Sequence, residues 1–555
     1  MGAFFNFFVA TFAAIGSFLF GYDSGIIGSV ISPNFKKFHE FFNNPSDNIL
    51  GAVVSTFAGG CFFGAMAAGW LADRIGRKRT IQAGSLIAVL GCSLQTGAQN
   101  INFLLVGRVI AGLAIGCLSM IVPLYQSEIS PPEMRGFLTG MTQFMIGMGF
   151  LVANWVGYGC QYLDNNAQWR VPLAIQVAPA VLLLLGMFFL PFSPRWLVEK
   201  GRNEEALKVI QLLHGNEQNA EFIKLEFAEM VEQIKYEKAN MSSKLSDLWA
   251  TKPMLKRTLT GMAVQICCQF TGINVSAYFQ PTLYQALGYS GNTILLITGI
   301  NNLLGQVVTF VFIYFILDRV GRRLPLIIGA FGMAGCLAIE ACPLFPTCPD
   351  SPRLTHWIQQ AAINAKFPGE TSDNKVAQQA GVAFIILFGS LFFSTSFGPV
   401  SWVYQSEIFP MRVRAMGAAV ATMSNWAINV RDQDQRECHM LIVILDPSKL
   451  CLAYHTIFSI GYSIEINLTQ VMISQVSPIG LHRLGWKFYL VFICTNIANG
   501  LIVIFFFPET KGKTLEEMDA VFGDQVIEHA LQTGHTHNIP GLDDKDRSLE
   551  KIEKA

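Results

Sequence analysis

Tyr125-Gln126-Ser127-Glu128-Ile129 and Tyr404-Gln405-Ser406-Glu407-Ile408 are the same five residues in two places. An arginine follows the glutamate of each copy at the same interval, Arg135 in the first and Arg414 in the second. A second motif is doubled as well: Asp73-Arg74-Ile75-Gly76-Arg77 returns as Asp318-Arg319-Val320-Gly321-Arg322. Both motifs recur in the same order between long apolar stretches. That pattern describes two similar halves of one membrane protein.

Composition points the same way. The chain is 52% hydrophobic and 14% charged, against about 25% charged in a soluble domain. Its formal net charge is zero, which offers nucleic acid no electrostatic footing. Among the 12 cysteines, Cys61, Cys92, Cys117, Cys267 and Cys268 sit inside apolar runs, and none has zinc spacing. Cys342 and Cys348 stand close together near an outer loop and are candidates to pair. There is no phosphate-binding loop of the Gly-x-x-x-x-Gly-Lys-Ser/Thr type, and no metal, cofactor or enzymatic chemistry is expected. The first apolar run is too long for a cleavable signal and has no basic leader, and Asn6 stands where a myristoylation signal needs Ser or Thr.

A membrane-crossing helix needs roughly 20 apolar residues. Such runs fall near 4–29, 48–72, 80–98, 101–124, 136–160 and 170–191, then near 256–287, 292–317, 324–343, 379–403, 412–430 and 484–507. The fold class is therefore an all-α membrane protein of twelve transmembrane helices in two six-helix bundles. The expected divisions are a first bundle (1–191), a linker with amphipathic helices (192–255), a second bundle (256–507) and a tail (508–555). The linker is polar, with surface-helix patterning such as Glu204-Glu205-Ala206-Leu207-Lys208. The charged, apolar-poor chain from Gly523 onward reads as disordered. Arg74, Arg77, Lys78, Arg79, Arg135, Arg319, Arg322, Arg323, Arg412 and Arg414 fall in loops on one side, which the positive-inside rule makes cytoplasmic, together with both termini and the linker. The interval between the doubled motifs is longer in the second half, and the excess fits an enlarged outer loop at 344–378.

The chain resembles the sugar porter family of the major facilitator superfamily, of the fungal monosaccharide type. The resemblance rests on Gly21-Tyr22-Asp23, Asp73 to Arg77, Gly107-Arg108, Tyr125 to Gly136, Ser193-Pro194-Arg195-Trp196-Leu197, Gln269 to Asn274, Asp318 to Arg322, Gly398 to Arg414 and Pro508-Glu509-Thr510-Lys511-Gly512. These stretches span nearly the whole chain in family order. The resemblance implies the major facilitator fold and import of a monosaccharide across the plasma membrane by alternating access. Facilitated diffusion and a non-transporting sugar sensor on the same fold are the alternatives. A sensor would be expected to carry a long signalling tail, and little chain follows Phe507.

Roles attach to residues as follows. Asp73, Arg77, Glu128, Arg135, Asp318, Arg322, Glu407 and Arg414 lie at the cytoplasmic ends of helices, where carboxylates and guanidiniums can pair across helices. Such pairs would latch the two halves and break when the transporter opens inward. Asp23 lies inside the first apolar run and Arg108 inside the fourth, and ionisable groups within a span are costly and usually functional. In the family the matching pair couples transport to protons, which makes H+ a second expected partner. Sugar recognition needs amides and an aromatic face. Gln143, Gln269, Asn274, Trp402, Asn425 and Trp426 occupy the family's sugar-contact positions, while Tyr278 and Phe279 are divided between binding and packing. Gly272 suits a helix that bends at the site.

Two departures from the family pattern stand out. Cys268-Gln269 replaces a pair of glutamines, which removes one amide from the sugar wall. Phe192 replaces a glutamate, which removes a carboxylate from the cytoplasmic network. Helix eleven is also interrupted: Arg431-Asp432-Gln433-Asp434 cannot continue a membrane helix, whereas joining Asn429 to Val471 restores one. Residues 430–470 read as a retained intron translated in frame, since a genuine loop there would leave backbone unpaired within the bilayer.

Overall fold

In lipid every backbone N–H and C=O must be satisfied internally, so apolar spans of this length fold as helices. The structure is a computed structural model that describes residues 2–32, 34–131, 134–214, 223, 227–228, 230–235, 244–278, 280, 284, 292–341, 382–426, 487–511 and 518–523. The Cys342–Cys348 pair, the 344–378 loop, Phe279, the 430–470 segment with the continuation of helix eleven, and the tail beyond Gly523 lie outside these residues, as does the side chain of Tyr278.

In chain order the spans are α1 (Phe4–Val30), α2 (Ile49–Ile75), α3 (Arg77–Thr96), α4 (Ile101–Ile129), α5 (Arg135–Cys160) and α6 (Ala167–Gly186). The second set is α7 (Lys252–Phe270), α8 (Leu296–Val320), α9 (Arg323–Ala341), α10 (Val382–Glu407), α11 (Arg414–Trp426) and α12 (Lys487–Phe506). Seven of them (α1, α2, α4, α5, α6, α8 and α10) are long and apolar enough to cross a membrane as described. α3 starts on Arg77-Lys78-Arg79, and α11 ends where the described residues end. The architecture is the twelve-helix major facilitator fold.

The doubled Asp-Arg-x-Gly-Arg motif turns the chain between α2 and α3 and again between α8 and α9. Gly76 has φ +87° and Gly321 φ +98°, a region where a Cβ is strained and glycine is not. α4 is largely buried within the first half and packs on α2 backbone to backbone. A Cβ at Gly112 would overlap Phe57 O, and one at Gly116 would overlap Cys61 O. Small residues of this kind let membrane helices approach closely without a hydrophobic driving force. In the second half α8 and α10 each contain a wide π-helical stretch, at Phe312–Ile316 and Leu387–Phe393.

The halves meet along α2 and α11, where Gly69 abuts Ala419, and along α5 and α8, where Gly140 abuts Ile313. The linker opens with a short helix, Pro194–Glu199, capped by Ser193 Oγ, which accepts from Trp196 N at 3.3 Å. A second helix, Asn203–His214, follows. Trp196, Leu197, Ala206 and Ile210 are buried in one cluster with Met411, which lies just before α11. The linker thus touches both halves at the end of the bundle that carries the doubled motifs, called here the basic end.

Candidate functional site

At the basic end the sequence repeat becomes a repeated network. Arg77 grips Glu128 Oε1 through Nε at 3.0 Å and Nη2 at 2.9 Å, while Ser193 Oγ donates to Oε2 at 2.5 Å. In the second half Arg322 Nη2 donates to Glu407 Oε1 at 2.9 Å, and Thr510 Oγ1 donates to Oε2 at 3.0 Å. The rest of the pentapeptide repeats its contacts too. Tyr125 OH donates to Pro191 O at 2.7 Å and Tyr404 OH to Pro508 O at 2.9 Å. Gln126 joins Ala10 O to Thr142, and Gln405 joins Gln265 to Thr422, so each glutamine ties the fourth helix of its half to the first and fifth.

These ion pairs correct one expectation. Arg77–Glu128 joins α3 to α4, and Arg322–Glu407 joins α9 to α10, so each described pair closes within its own half rather than between halves. The reason is local: the positive-φ turn returns Arg77 beside the end of α4 and Arg322 beside the end of α10. Among the described residues, a polar contact that crosses at this end is made by Asp318 Oδ2, which accepts from the backbone N–H of Phe137 in the first turn of α5 at 2.9 Å. Gly136 makes room for it, since a Cβ there would overlap Asp318 Oδ1. A carboxylate on a helix N-terminus contributes about 0.3–1 kcal/mol, and up to about 2 kcal/mol when partly buried. Asp73 stays near its own helix turn, 3.7 Å from Arg77. Arg414 donates Nε to Phe409 O at 2.9 Å, closing the turn before α11, and Arg135 is buried in the first turn of α5.

Asp23 and Arg108 meet. Nη1 of Arg108 donates to Asp23 Oδ1 at 2.5 Å, and both side chains are at most 2% exposed. Arg108 is fixed further by Nε to Val53 O at 3.0 Å and by the Phe57 ring 4.3 Å away. Removing one partner of such a buried pair costs about 3–5 kcal/mol, because the remaining charge is stranded. Asp23 Oδ2 has no hydrogen-bond partner among the described residues.

The residues singled out for sugar converge where the halves face one another. Trp402 Nε1 on α10 donates to Gln143 Oε1 on α5 at 3.2 Å. Gln269 Nε2 on α7 donates to Asn425 Oδ1 on α11, and Asn274 Nδ2 donates back to Gln269 Oε1. The chain bends between them at Gly272 (φ +87°) into the short helix Ile273–Tyr278. Trp426 departs from this group. It inserts between α1, α2 and α4, its ring 5.0 Å from Phe20 and 6.2 Å from Phe57, and its Nε1 donates to Ser119 Oγ at 3.2 Å. Its burial there makes it an anchor of α11 against the first half. Cys268 turns its thiol to Phe397 O at 3.8 Å.

Several residues escaped the sequence reading. Gln306 on α8 presses its amide against Gly147 of α5, one helical turn from Gln143, and its Oε1 has no hydrogen-bond partner among the described residues. Ser193 and Thr510 complete the glutamate sites, and Glu509 accepts from the N–H groups of Arg322 and Arg323 at 2.9 and 3.0 Å. Gln126 and Gln405 occupy the same place in the doubled pentapeptide, a signal that the charged neighbours overshadowed.

The family model "Sugar (and other) transporter" matches residues 9–431 and 458–522. A curated relative, the MFS-type transporter criB of Aspergillus cristatus, is 34% identical over 518 residues, covering 93% of each chain. The high-affinity glucose transporter of Kluyveromyces lactis is 32% identical over 531 residues, covering 94% of this chain and 86% of the relative. In fold, the chain matches the proton:xylose symporter XylE bound to 6-bromo-6-deoxy-D-glucose with a TM-score of 0.73 at 24% identity, over 94% of this chain and all of that one. The doubled motifs, the paired networks they build and the amide-lined seam between the halves thus belong to a membrane transporter, and the chain is a member of the sugar transporter family of the major facilitator superfamily.

Proposed function

We propose that this transporter imports a monosaccharide across the plasma membrane by alternating access, in symport with protons. The observation that carries the reading is the Asp23–Arg108 pair. A carboxylate sealed within a membrane span, with one oxygen on an arginine and the other without a hydrogen-bond partner among the described residues, is a group able to take up a proton and release it. Gln143, Gln269, Asn274, Trp402 and Asn425 supply the amides and the aromatic face that a sugar ring requires, and Trp426 braces the helix bearing Asn425. Their present bonds to one another are those a sugar's hydroxyls would replace. The similarity to a glucose transporter supports a hexose as the first sugar to try.

The basic end then faces the cytoplasm, as do the linker and both termini. Asp73, Arg77, Glu128, Arg135, Asp318, Arg322, Glu407 and Arg414 act as its gate. In this scheme the ion pairs keep each half rigid, and the Asp318 contact with α5 is the link that parts when the inner side opens. Residues 430–470 are not part of the transporting form in this reading; the family match leaves out 432–457 within the segment, while 458–470 are matched.

Uptake of labelled glucose and xylose in cells lacking their own hexose carriers tests the scheme. The full chain and a version without 430–470 are compared, each with and without a protonophore. Symport requires that the protonophore abolish accumulation and that D23N do the same while sparing sugar exchange. Uptake that persists through both treatments makes the protein a uniporter. Equal transport by the two versions makes 430–470 a tolerated loop, and finding the segment in every transcript across Asn429 and Met472 rules out the intron.

A further inference from the structure

The two halves treat the first turn of their third helix differently. In the second half Glu509 accepts from the N–H groups of Arg322 and Arg323, which puts a carboxylate at the start of α9. α3 begins Arg77-Lys78-Arg79, with no acidic residue in its first turn. Glu128 neutralises Arg77 inside the bundle, but neither Lys78 nor Arg79 has an ion pair among the described residues. Their charges gather on a ring instead, Lys78 Nζ at 4.9 Å and the Arg79 guanidinium at 5.9 Å from Phe192. Arg202 stands 5.7 Å from the same ring and is held by Glu205 at 2.8 and 2.5 Å. The positive end of a helix disfavours cations, so two uncompensated ones there leave a seat for an anion.

The surface below that seat identifies what carries the anion. Leu86 and Leu90 follow Arg79 by seven and eleven residues, so they share its face of α3. Each is more than half exposed. α6 packs beside α3 and leaves Leu182, Leu185 and, past its end, Phe189 uncovered in the same way. Lys78 Nζ ties the two helices together by donating to Phe188 O at 2.9 Å. From Arg79 the stripe runs roughly 16 Å along the axis to Leu90, about the hydrocarbon depth of one leaflet. A molecule that covers this stripe with a chain and reaches Lys78 and Arg79 with a charge is a phospholipid.

We propose that Lys78 and Arg79, with the α3–α6 face below them, form a binding site for a glycerophospholipid whose headgroup is net negative. The site goes beyond the transport reading and takes from it only the cytoplasmic placement of the basic end, where anionic lipids concentrate. The Arg79 fork and the remaining N–H groups of Lys78 donate to the phosphate oxygens. A zwitterionic headgroup brings a cation of its own and forfeits the net attraction.

The second half offers no such seat. Glu509 already supplies the anion, and Leu324 stands where the first half has Arg79.

Native mass spectrometry of the full chain, purified in detergent with equal amounts of phosphatidylserine and phosphatidylcholine, tests this. Wild type should retain one phosphatidylserine in preference. A basic side chain near an anionic lipid is worth about fivefold in binding, so K78Q/R79Q should cut the preference about tenfold or more. F192E seats a carboxylate among the same cations and should lose the preference with both cations present, which covers a misfolded K78Q/R79Q. R319Q/K511Q removes two exposed charges from the same end of the second half and should keep it. A preference unchanged in folded K78Q/R79Q or in folded F192E overturns the site. Equal loss in R319Q/K511Q also overturns it, by making the attraction a property of the whole basic end. Equal retention of the two lipids by wild type overturns the anionic headgroup, and displacement of the lipid by millimolar inorganic phosphate makes the seat one for soluble anions. Each of these outcomes leaves the transport reading standing.

Discussion

In the first half Arg77 binds Glu128 and Ser193 donates to the carboxylate's other oxygen; in the second, Arg322 binds Glu407 and Thr510 does the same. The halves then part in two places. Asp318 crosses to the N-terminus of α5, while Asp73 stays 3.7 Å from Arg77. Glu509 caps the start of α9, while Phe192, which stands at the corresponding place one residue before Ser193, stacks on Trp196 at 5.7 Å. What repeats holds each half together, and what fails to repeat decides how the halves touch.

The glutamate sites give the largest expected effect. E128A or E407A strands a buried arginine, at a cost of about 3–5 kcal/mol. The two are not equivalent. Arg322 keeps Asp318 at 3.1 Å after Glu407 is lost, whereas Arg77 falls back on Asp73 at 3.7 Å. Thermal unfolding of the purified protein should therefore show E128A as the more damaging variant. Equal losses would mean that the aspartates contribute nothing to the arginines, and that the two networks are the same in energy as well as in form.

The crossing contact comes next. In the first half a glycine follows the motif arginine, and in the second an alanine does: Gly136 after Arg135, Ala415 after Arg414. G136A pushes a Cβ into the Asp318 carboxylate and the Arg322 guanidinium, and such overpacking costs about 1–3 kcal/mol. Spin labels at the exposed positions Arg79 and Arg319, in a background without reactive cysteines, should report a longer distance across the basic end. A415G opens the matching seat on α11 and should shorten the distance by letting Asp73 reach it. No change in either variant would show that this seat is not what distinguishes the halves.

The sequence made the two-half plan legible because charged motifs are rare in apolar chain and their duplication is unmistakable. It did not disclose pairing partners. Glu128 and Arg135 are neighbours along the chain, yet the described partner of Glu128 is Arg77 on another helix, because the positive-φ turn at Gly76 sets that geometry and hydropathy does not record it. The wide turns in α8 and α10 were hidden for a similar reason, since a change of helical register leaves composition untouched. Trp426 shows the limit for site residues. A tryptophan beside Asn425 reads as a sugar contact, but one helical step turns it onto Phe20, Phe57 and Ser119. Gln306 was overlooked because a single glutamine in a span carries no sign of what it faces.

The smallest effect bears on Phe192. If it occupies the place of a lost cap, F192E should restore to α3 what Glu509 gives α9, about 0.3–1 kcal/mol. The new carboxylate would lie among Lys78 and Arg202, whose charges now sit 4.9 and 5.7 Å from the ring. Against this stands the loss of the Trp196 stack, about 0.5–1.5 kcal/mol, so the net change in thermal stability should be near zero at moderate salt. The two contributions separate with ionic strength. Charge capping is screened and stacking is not, so F192E should be more stable than wild type at low salt and less stable at high salt. E509Q should lose stability most at low salt and converge on wild type as salt rises. A deficit in F192E that does not vary with salt would identify Phe192 as a packing residue of the linker cluster, and the two halves would then differ at this point by design of their cores rather than by the absence of a cap.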